Sequence, residues 1–360
     1  MDKKTVFYSF HEQLNAQLVS FAGYKMPIKY KGINFEHKYV RSNVGVFDVS
    51  HMAQIVIKGN DASNFLQYIT TNDINNLIDG KVQYSCMLNE SGGIIDDLLV
   101  YRFNEEHYML VVNASNAEKD FNWICKYNKF GVSIENITNS NGLLAIQGPN
   151  ALSLLQTLTD INLSEISYYS FVQGSIAGCS DIIISNTGYT GSGGFELYID
   201  IKQAPKLWDK IFQSSQELEP IGLAARDTLR LEMGYCLYGN DINENYSPIE
   251  AGLSWIVKCN KDFIGKDFII NQIQEGAKNS LIGFVMLDKG IPRKDYKIFN
   301  KQNVEIGVVT SGTMSPSLEK AIGMGYIIKS ESSLNNELFI SIRDKKIKAK
   351  IIKKPFYEKT

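Results

Sequence analysis

The amino-acid sequence predicts an α+β protein of two or three domains, with a β-barrel or jelly-roll module in its last third. Three observations lead there. Through the first 250 residues, short β-rich runs alternate with stretches of helical apolar spacing. From about Phe268 onward the pattern changes to closely spaced β runs separated by turn residues. The length, 360 residues, exceeds one domain at roughly 150 residues each.

Within Asp48–Phe130 the elements follow in a compact α+β order. Ala53–Ile57 alternates as a strand, and Asp61–Ile69 has helical spacing with Phe65 and Ile69 four apart. The runs Ile94–Phe103 and Tyr108–Val112 flank a polar turn at Asn104–His107 and predict a hairpin. Ser115-Asn116-Ala117-Glu118 reads as a capping box that opens a helix with Phe121, Ile124 and Cys125 on one side. The region Gly142–Ser254 holds β runs at Leu143–Ile146, Ile182–Ser185 and Phe195–Ile199. Helices follow at Ala204–Ser215 and Ala224–Met233, the second closed by Gly234. The last third offers β runs at Leu281–Leu287, Tyr296–Phe299, Val304–Ser311, Ala321–Tyr326, Leu338–Ile342 and Lys346–Ile352.

Composition narrows the function. With 37 Lys and Arg against 39 Asp and Glu the net charge is −2, which lacks the basic excess of a nucleic-acid binder. No apolar run approaches the ~20 residues of a membrane span, and the polar, acidic start matches neither a signal peptide nor a transit peptide. The chain reads as soluble and cytoplasmic. Its 5 cysteines form no CxxC pair and read as free buried thiols. The 4 histidines show no HExxH or similar ligand spacing, so no metal site is expected.

Four motifs stand out against bland alternatives. The loop Gly188–Gly194 lacks both dinucleotide and P-loop spacing, and a glycine-rich turn before a strand accounts for it. Glu196 interrupts the apolar strand after that loop. On pattern alone it belongs on a solvated face, but if it points inward it needs a partner, and a flat heterocycle with two adjacent N–H donors would satisfy it. Asp96 and Asp97 interrupt a second apolar strand. Neighbours in a strand point to opposite faces, so only one can face a given cavity. Arg226 and Arg230 lie four apart on one predicted helix. Asp227 can reach Arg230, while Arg226 needs a partner from elsewhere, water or a bound anion. His51, close to Asp48 and Ser50, reads as a hydrogen-bonded structural residue rather than a triad member.

In combination these segments resemble the aminomethyltransferase (T-protein) family of the glycine cleavage system. The resemblance is carried by Gly45-Val46-Phe47-Asp48-Val49-Ser50-His51-Met52, Tyr84-Ser85, Gly92-Gly93-Ile94-Ile95-Asp96-Asp97 and Val111-Val112-Asn113-Ala114-Ser115-Asn116. It continues through Gly188-Tyr189-Thr190-Gly191 with Glu196, Ala224–Glu232 and Gly307–Gly312, in the family's order from about Phe21 to Pro355. It implies a three-domain cloverleaf around a central tetrahydrofolate cavity. The implied domains are a discontinuous folate-binding domain (1–48 and 140–255), a second α+β domain with the catalytic aspartate (49–139) and a C-terminal barrel or jelly roll (256–360).

The implied reaction transfers the one-carbon unit of the aminomethylated dihydrolipoyl arm of H-protein to tetrahydrofolate. The products are 5,10-methylenetetrahydrofolate, ammonia and dihydrolipoyl H-protein. Matched position by position, Asp96 is the family's catalytic aspartate and Glu196 the carboxylate that holds the pterin. Met52, Tyr84, Asn113, Tyr189 and Arg226 match positions lining the folate site or its mouth, and Tyr357 stands for the family's C-terminal site residue. The loop Ser192-Gly193-Gly194 is richer in glycine than the acidic version the family suggests. The resemblance further implies a monomer that works with P-protein and L-protein and contacts neither nucleic acid nor membrane. A folate-dependent demethylase-type relative and a non-catalytic folate-binding protein are the alternatives. Retained Asp96 and the absence of a flavin-type GxGxxG argue against them.

Overall fold

The computed structural model describes residues 2–343 and 345–358. Its contacts group the chain into two compact units. The first runs to Gln67 and includes Ile74–Tyr84 and Leu98–Asp227. The second comprises Tyr68–Asp73, Ser85–Asp97 and the chain from Thr228 on.

The first unit is built on a six-stranded sheet ordered Phe171–Ile176, Cys179–Ser185, Gly194–Asp200, Asn141–Gln147, Val44–Asp48 and Leu218–Pro220. Neighbours pair antiparallel except the last two, which are parallel. One face of this sheet is apolar. Ile182, Ile184, Phe195, Leu197, Ile199, Leu144 and Ile146 pack there in one buried cluster with Leu207, Trp208 and Ile211 of the helix Ala204–Ser214. Period-2 alternation then puts Ser185, Glu196 and Tyr198 on the other face. The helix Ile33–Ser42 is fixed at its start by Glu36, only 1% exposed, which accepts from the backbone N–H groups of Tyr30 (2.7 Å), Gly32 (2.9 Å) and Gly222 (2.8 Å).

A five-stranded sheet has the order Lys81–Leu88, Ile94–Asn104, His107–Val112, Ala53–Lys58, Ser133–Asn136. The predicted hairpin and the predicted strand at Ala53 are both present. The helix Ala117–Lys126 starts differently from the expected capping box. Ala114–Asn116 forms a 3₁₀ turn with the Asn116 N–H on the Asn113 carbonyl (3.0 Å), which makes Asn116 the N-cap, and no side chain caps it. The capping box fails because its Ser115 is inside that turn and exposed. On this helix Ile124 is buried and Cys125 exposed. Cys86, Cys179 and Cys236 are the buried thiols, and Cys259 is partly covered.

In the second unit six strands close into a barrel, ordered Asn279–Met286, Ala321–Ile328, Glu305–Met314, Lys297–Phe299, Glu337–Ile342 and Lys345–Ile352. All six β runs expected in the last third are present. Phe284, Ile298, Val309, Leu338, Ile340 and Ile351 fill the interior. No helix among the described residues is long and apolar enough to cross a membrane.

Candidate functional site

The strand Gly194–Asp200 leaves the glycine loop with Phe195 and Leu197 turned to the core, so Glu196 takes the opposite face. In register it faces Ser185 on one neighbouring strand and Ala145 on the other. Glu196 is 6% exposed, so the pattern's preference for a solvated face is overturned by the covering of this second face. Its Oε2 accepts a 2.5 Å hydrogen bond from Thr187 Oγ1. Behind Thr187 lie three more buried hydroxyls, those of Ser185, Tyr101 and Tyr198. Among the described residues no hydrogen bond reaches Glu196 Oε1.

The loop that leads into this strand is held firmly. Gln147 donates from Nε2 to the Thr187 carbonyl (3.1 Å) and accepts from Thr190 Oγ1 (2.9 Å). Arg41 Nη1 donates to the Thr190 carbonyl (2.5 Å) and to Ser192 Oγ (2.8 Å). Gly194 has φ +131°, and a Cβ there would lie 2.2 Å from the Ile146 carbonyl oxygen, so this position requires glycine. The loop therefore presents Tyr189 in a fixed place. Arg226 stacks over the Tyr189 ring at 4.8 Å, a cation–π contact. Burial pushes the Arg226 pKa below the usual guanidinium range, while Glu196, Tyr189 and Tyr198 oppose that shift. Its Nη1 is buried and has no hydrogen-bond partner among the described residues. The sequence reading left Arg226 to find a partner across the structure or a ligand. The structure gives it a charge neighbour and a ring but leaves one donor unused.

His51, 4% exposed, does not behave as the expected hydrogen-bonded structural residue at both ring nitrogens. Its Nδ1 has no partner among the described residues, and Phe21 lies edge-on to the ring at 5.5 Å. Burial lowers its pKa to about 4, with Asp48 opposing and Arg226 adding to the shift. The imidazole that Asp48 holds is His11, 37 residues away, with Nε2 and Oδ2 2.9 Å apart. Thr5 Oγ1 (2.6 Å) and the Ser50 N–H (2.9 Å) also donate to Asp48. Burial by itself would raise the Asp48 pKa; these donors outweigh it and hold the group below the usual carboxylate range. Met52, Tyr84 and Asn113 are half-buried in this unit. A separate cavity of ≈ 250 Å³, lined by Lys3, Tyr24, His51, Ser115 and Glu118 among others, includes none of the predicted site residues.

Asp96 and Tyr357 belong to the second unit. Asp96 is fully buried while its neighbour Asp97 is half-exposed, which agrees with opposite faces. The main chain just before Asp96 is closely braced. The Ile94 N–H donates to the carbonyls of Asn243 (3.2 Å) and Tyr246 (3.1 Å), and Tyr238 OH donates to the Ile94 carbonyl (3.2 Å). A Cβ on Gly93 would fall 1.8 Å from the Glu244 carbonyl oxygen, so only glycine permits this approach. Burial pushes the thiol of Cys86 well up, with Asp97, Cys236 and Asp96 adding to it, and raises Cys236 to about 12. Neither supplies a thiolate nucleophile near neutral pH. The backbone N–H groups of Phe356 and Tyr357 both donate to the Glu232 carbonyl, at 2.8 and 3.0 Å.

Arg230, predicted to meet Asp227, salt-bridges Asp241 at 2.6 Å and donates to the Tyr235 carbonyl and Ser311 Oγ, both at 2.9 Å. Helical spacing could not have found Asp241. Among the described residues no group of three His, Cys, Asp or Glu side chains could hold a metal ion. Thr187, Ser185, Tyr101, Tyr198 and Gln147 were missed by sequence reasoning. The one available signal was that Tyr198 and Glu196 sit two apart, on the same face of a strand.

The chain is similar to known proteins over its whole length. Residues 7–261 match the GCVT N-terminal domain, and residues 279–358 match the glycine cleavage T-protein C-terminal barrel domain. An aminomethyltransferase of Flavobacterium psychrophilum is 51% identical over 359 residues, 99% of this chain and 100% of the relative. One from Bacteroides fragilis is 51% identical over 98% of this chain and 99% of its own. The crystal structure of glycine cleavage system aminomethyltransferase T from Bartonella henselae superposes with a TM-score of 0.94 at 35% identity, covering 100% of this chain and 99% of that one. With both domains matched in order and full-length relatives at such identity, the chain belongs to the aminomethyltransferase (T-protein) family of the glycine cleavage system.

Proposed function

We propose that this aminomethyltransferase takes the one-carbon unit from the S-aminomethyldihydrolipoyl arm of a lipoylated H-protein and passes it to tetrahydrofolate. Ammonia, dihydrolipoyl H-protein and 5,10-methylenetetrahydrofolate are the products. The observation that carries the reading is the open hydrogen-bonding capacity of Glu196 and Arg226. One Glu196 oxygen is left open for a donor, and the buried Arg226 N–H without an acceptor is costly unless a ligand completes it. A pterin edge carries adjacent N–H donors for the first and acceptors for the second. The residues present therefore fit the group.

When bound, the folate supplies the amine nucleophile, so the protein needs neither a nucleophile of its own nor a metal for this step. The chain's residues orient, shield and stabilise. Glu196 is assigned to the pterin, with Arg226, Tyr189, Met52, Tyr84 and Asn113 lining the site or its mouth and Tyr357 as its C-terminal member. Asp96 is assigned as the catalytic carboxylate, which orients the reacting amine and stabilises positive charge as ammonia departs. Its full burial, on a strand braced by Tyr238 and the Asn243 and Tyr246 carbonyls, suits a group that must not reorient during the reaction. In this reading residues 1–48 with 140–255 form the folate-binding domain, 49–139 the domain bearing Asp96 and 256–360 the barrel domain. The protein acts as a cytoplasmic monomer in glycine catabolism, supplied by P-protein and followed by L-protein.

A coupled assay with aminomethylated H-protein tests the reading. Asp96→Asn is expected to lower turnover by about 100-fold or more while tetrahydrofolate still binds. Wild-type turnover in that variant removes Asp96 from the mechanism. Failure of the wild-type protein to release ammonia in the assay favours a demethylase-type or non-catalytic folate-binding role.

A further inference from the structure

The four hydroxyls behind Glu196 form one hydrogen-bonded cluster that ends on its carboxylate. Tyr198 OH and Tyr101 OH are 2.8 Å apart, Tyr101 OH is 3.1 Å from Ser185 Oγ and 3.3 Å from Thr187 Oγ1, and Ser185 Oγ is 2.9 Å from Thr187 Oγ1. Each hydroxyl has a single proton. Thr187 commits its proton to Glu196 Oε2, so it can only accept from Ser185. Ser185 thereby commits its own, the single Tyr101 proton is left for Ser185 or Thr187, and Tyr101 accepts from Tyr198. Every proton points the same way, towards the carboxylate.

None of these groups is available to bulk water. Tyr101 and Ser185 are fully buried, Tyr198 and Thr187 are 2% exposed, and burial holds both phenols far above their usual pKa, so they keep their protons. Aligned hydrogen bonds in a poorly polarisable interior polarise one another, and the bond at the charged end gains most. Strand register aligns three of these residues, and Tyr101 reaches them from the strand Ile94–Asn104 of the five-stranded sheet. Ser185 is paired with Glu196, Tyr198 follows on the same face, and Thr187 lies two residues past Ser185.

We propose that Thr187, backed by Ser185, Tyr101 and Tyr198, is a positioning residue that pins one Glu196 oxygen so that the other is presented to the incoming N–H donors of a pterin-like heterocycle. This deepens the proposed function and rests on the assignment of Glu196 to the pterin. The side chain has two torsions beyond χ1, and without Thr187 nothing among the described residues donates to either of its oxygens. A free carboxylate would turn towards Arg226 and be lost to the ligand.

The test is a double-mutant cycle on the full-length protein. It measures tetrahydrofolate affinity by calorimetry and kcat and KM in the coupled assay, with thermal melting to verify folding. Thr187→Val keeps the shape and removes the donor. It is expected to raise the Kd and the KM for tetrahydrofolate about 10-fold or more, while kcat at saturating folate stays within about threefold. Thr187→Ser restores the hydroxyl and is expected to bring both constants back to within about threefold of wild type. In a Glu196→Ala background, Thr187→Val should add nothing further. Should Thr187→Val fail to fold, Tyr198→Phe carries the test, since it removes only the outermost proton and is expected to weaken binding two- to fivefold. Wild-type affinity in the Thr187 or Tyr198 variant, together with weakened binding in Glu196→Ala, overturns the positioning role and leaves the Glu196 assignment standing. Unchanged affinity in Glu196→Ala overturns both. An undiminished Thr187→Val effect in the Glu196→Ala background shows that the threonine acts by another route and also overturns the proposal.

Discussion

Arg226 and Arg230, one helical turn apart, should respond in opposite ways to the same substitution. Arg→Met removes the charge and the donors and keeps most of the stem volume. At Arg230 it strips the cation from Asp241, whose side chain is fully buried, and removes the donors of the Tyr235 carbonyl and Ser311 Oγ. Asp241 keeps the Leu237 N–H (2.9 Å), Thr310 Oγ1 (2.5 Å) and Ser311 Oγ (2.9 Å), which soften the loss without neutralising the charge. Breaking such a buried pair costs about 3–5 kcal/mol. At Arg226 the bookkeeping nearly cancels. Removing the partnerless Nη1 recovers a desolvation cost of about 1–3 kcal/mol. Losing the Tyr189 stack costs about 1 kcal/mol, and the weakened attraction to Glu196 adds a comparable loss. The net change is about 1 kcal/mol or less.

Urea denaturation followed by fluorescence of the 3 tryptophans, compared at a common slope, measures both. Arg230→Met should lose several kcal/mol. Arg226→Met should melt near the wild-type midpoint yet bind tetrahydrofolate at least 10-fold more weakly, since hydrogen bonds to a charged group are worth about 1.5–3 kcal/mol. Equal destabilisation of the two variants, or unaltered folate affinity in Arg226→Met, would refute the division into a structural and a ligand-facing arginine.

Three further outcomes are expected. His51, buried neutral with its pKa lowered to about 4, contributes stability that is complete above its unfolded value of 6.5. That contribution is lost as pH falls from there towards 4, by about 3 kcal/mol at the order-of-magnitude level. His51→Gln should flatten this acid limb in urea titrations run between pH 4 and 7, and an unchanged limb assigns it to other groups. Lys261 is partly buried with Nζ 2.5 Å from the Thr70 carbonyl; burial, against the pull of Asp73, lowers its pKa to about 7. Since its depressed pKa means that the unfolded chain protonates first, its share of stability falls as pH drops from about 10 to 7. Its neutral amine should be acylated ahead of exposed lysines at pH 7.5, which peptide mass spectrometry reads directly. Gly93→Ala forces a Cβ onto the Glu244 carbonyl and should destabilise the protein by about 2 kcal/mol or more while lowering turnover through Asp96. A melting temperature and turnover equal to wild type would show that this segment yields freely.

Much of the fold could be read from periodicity because each sheet has one buried face. The run Phe195–Ile199 and all six barrel strands were found this way, along with the hairpin around Asn104–His107. What periodicity reads poorly is a residue on the second, covered face. Glu196 looked solvated because its strand alternates, and only the tertiary fold lays buried hydroxyls over it. The capping box at Ser115 failed because a 3₁₀ turn moved the helix start by one residue, a local detail that spacing does not show. Arg230 found Asp241 and Asp48 found His11 across 11 and 37 residues, separations that helical or strand arithmetic does not address. The site residues themselves were reached by resemblance. The hydroxyls that brace Glu196 carry no motif; register aligns Ser185 and Tyr198 with it, and Tyr101 comes from the other sheet.

The closed barrel has a consequence for association. A sheet that returns to its first strand leaves no unpaired edge, so the C-terminal strands cannot template the addition of another chain. The open sheets differ, since the six-stranded one ends on Phe171–Ile176 and Leu218–Pro220, and the latter is short and carries a proline. The start of Phe171–Ile176 is already bonded to Gly80, so its recruitable border begins at Val172, and crowding or partial unfolding should draw stray strands there before anywhere on the barrel wall.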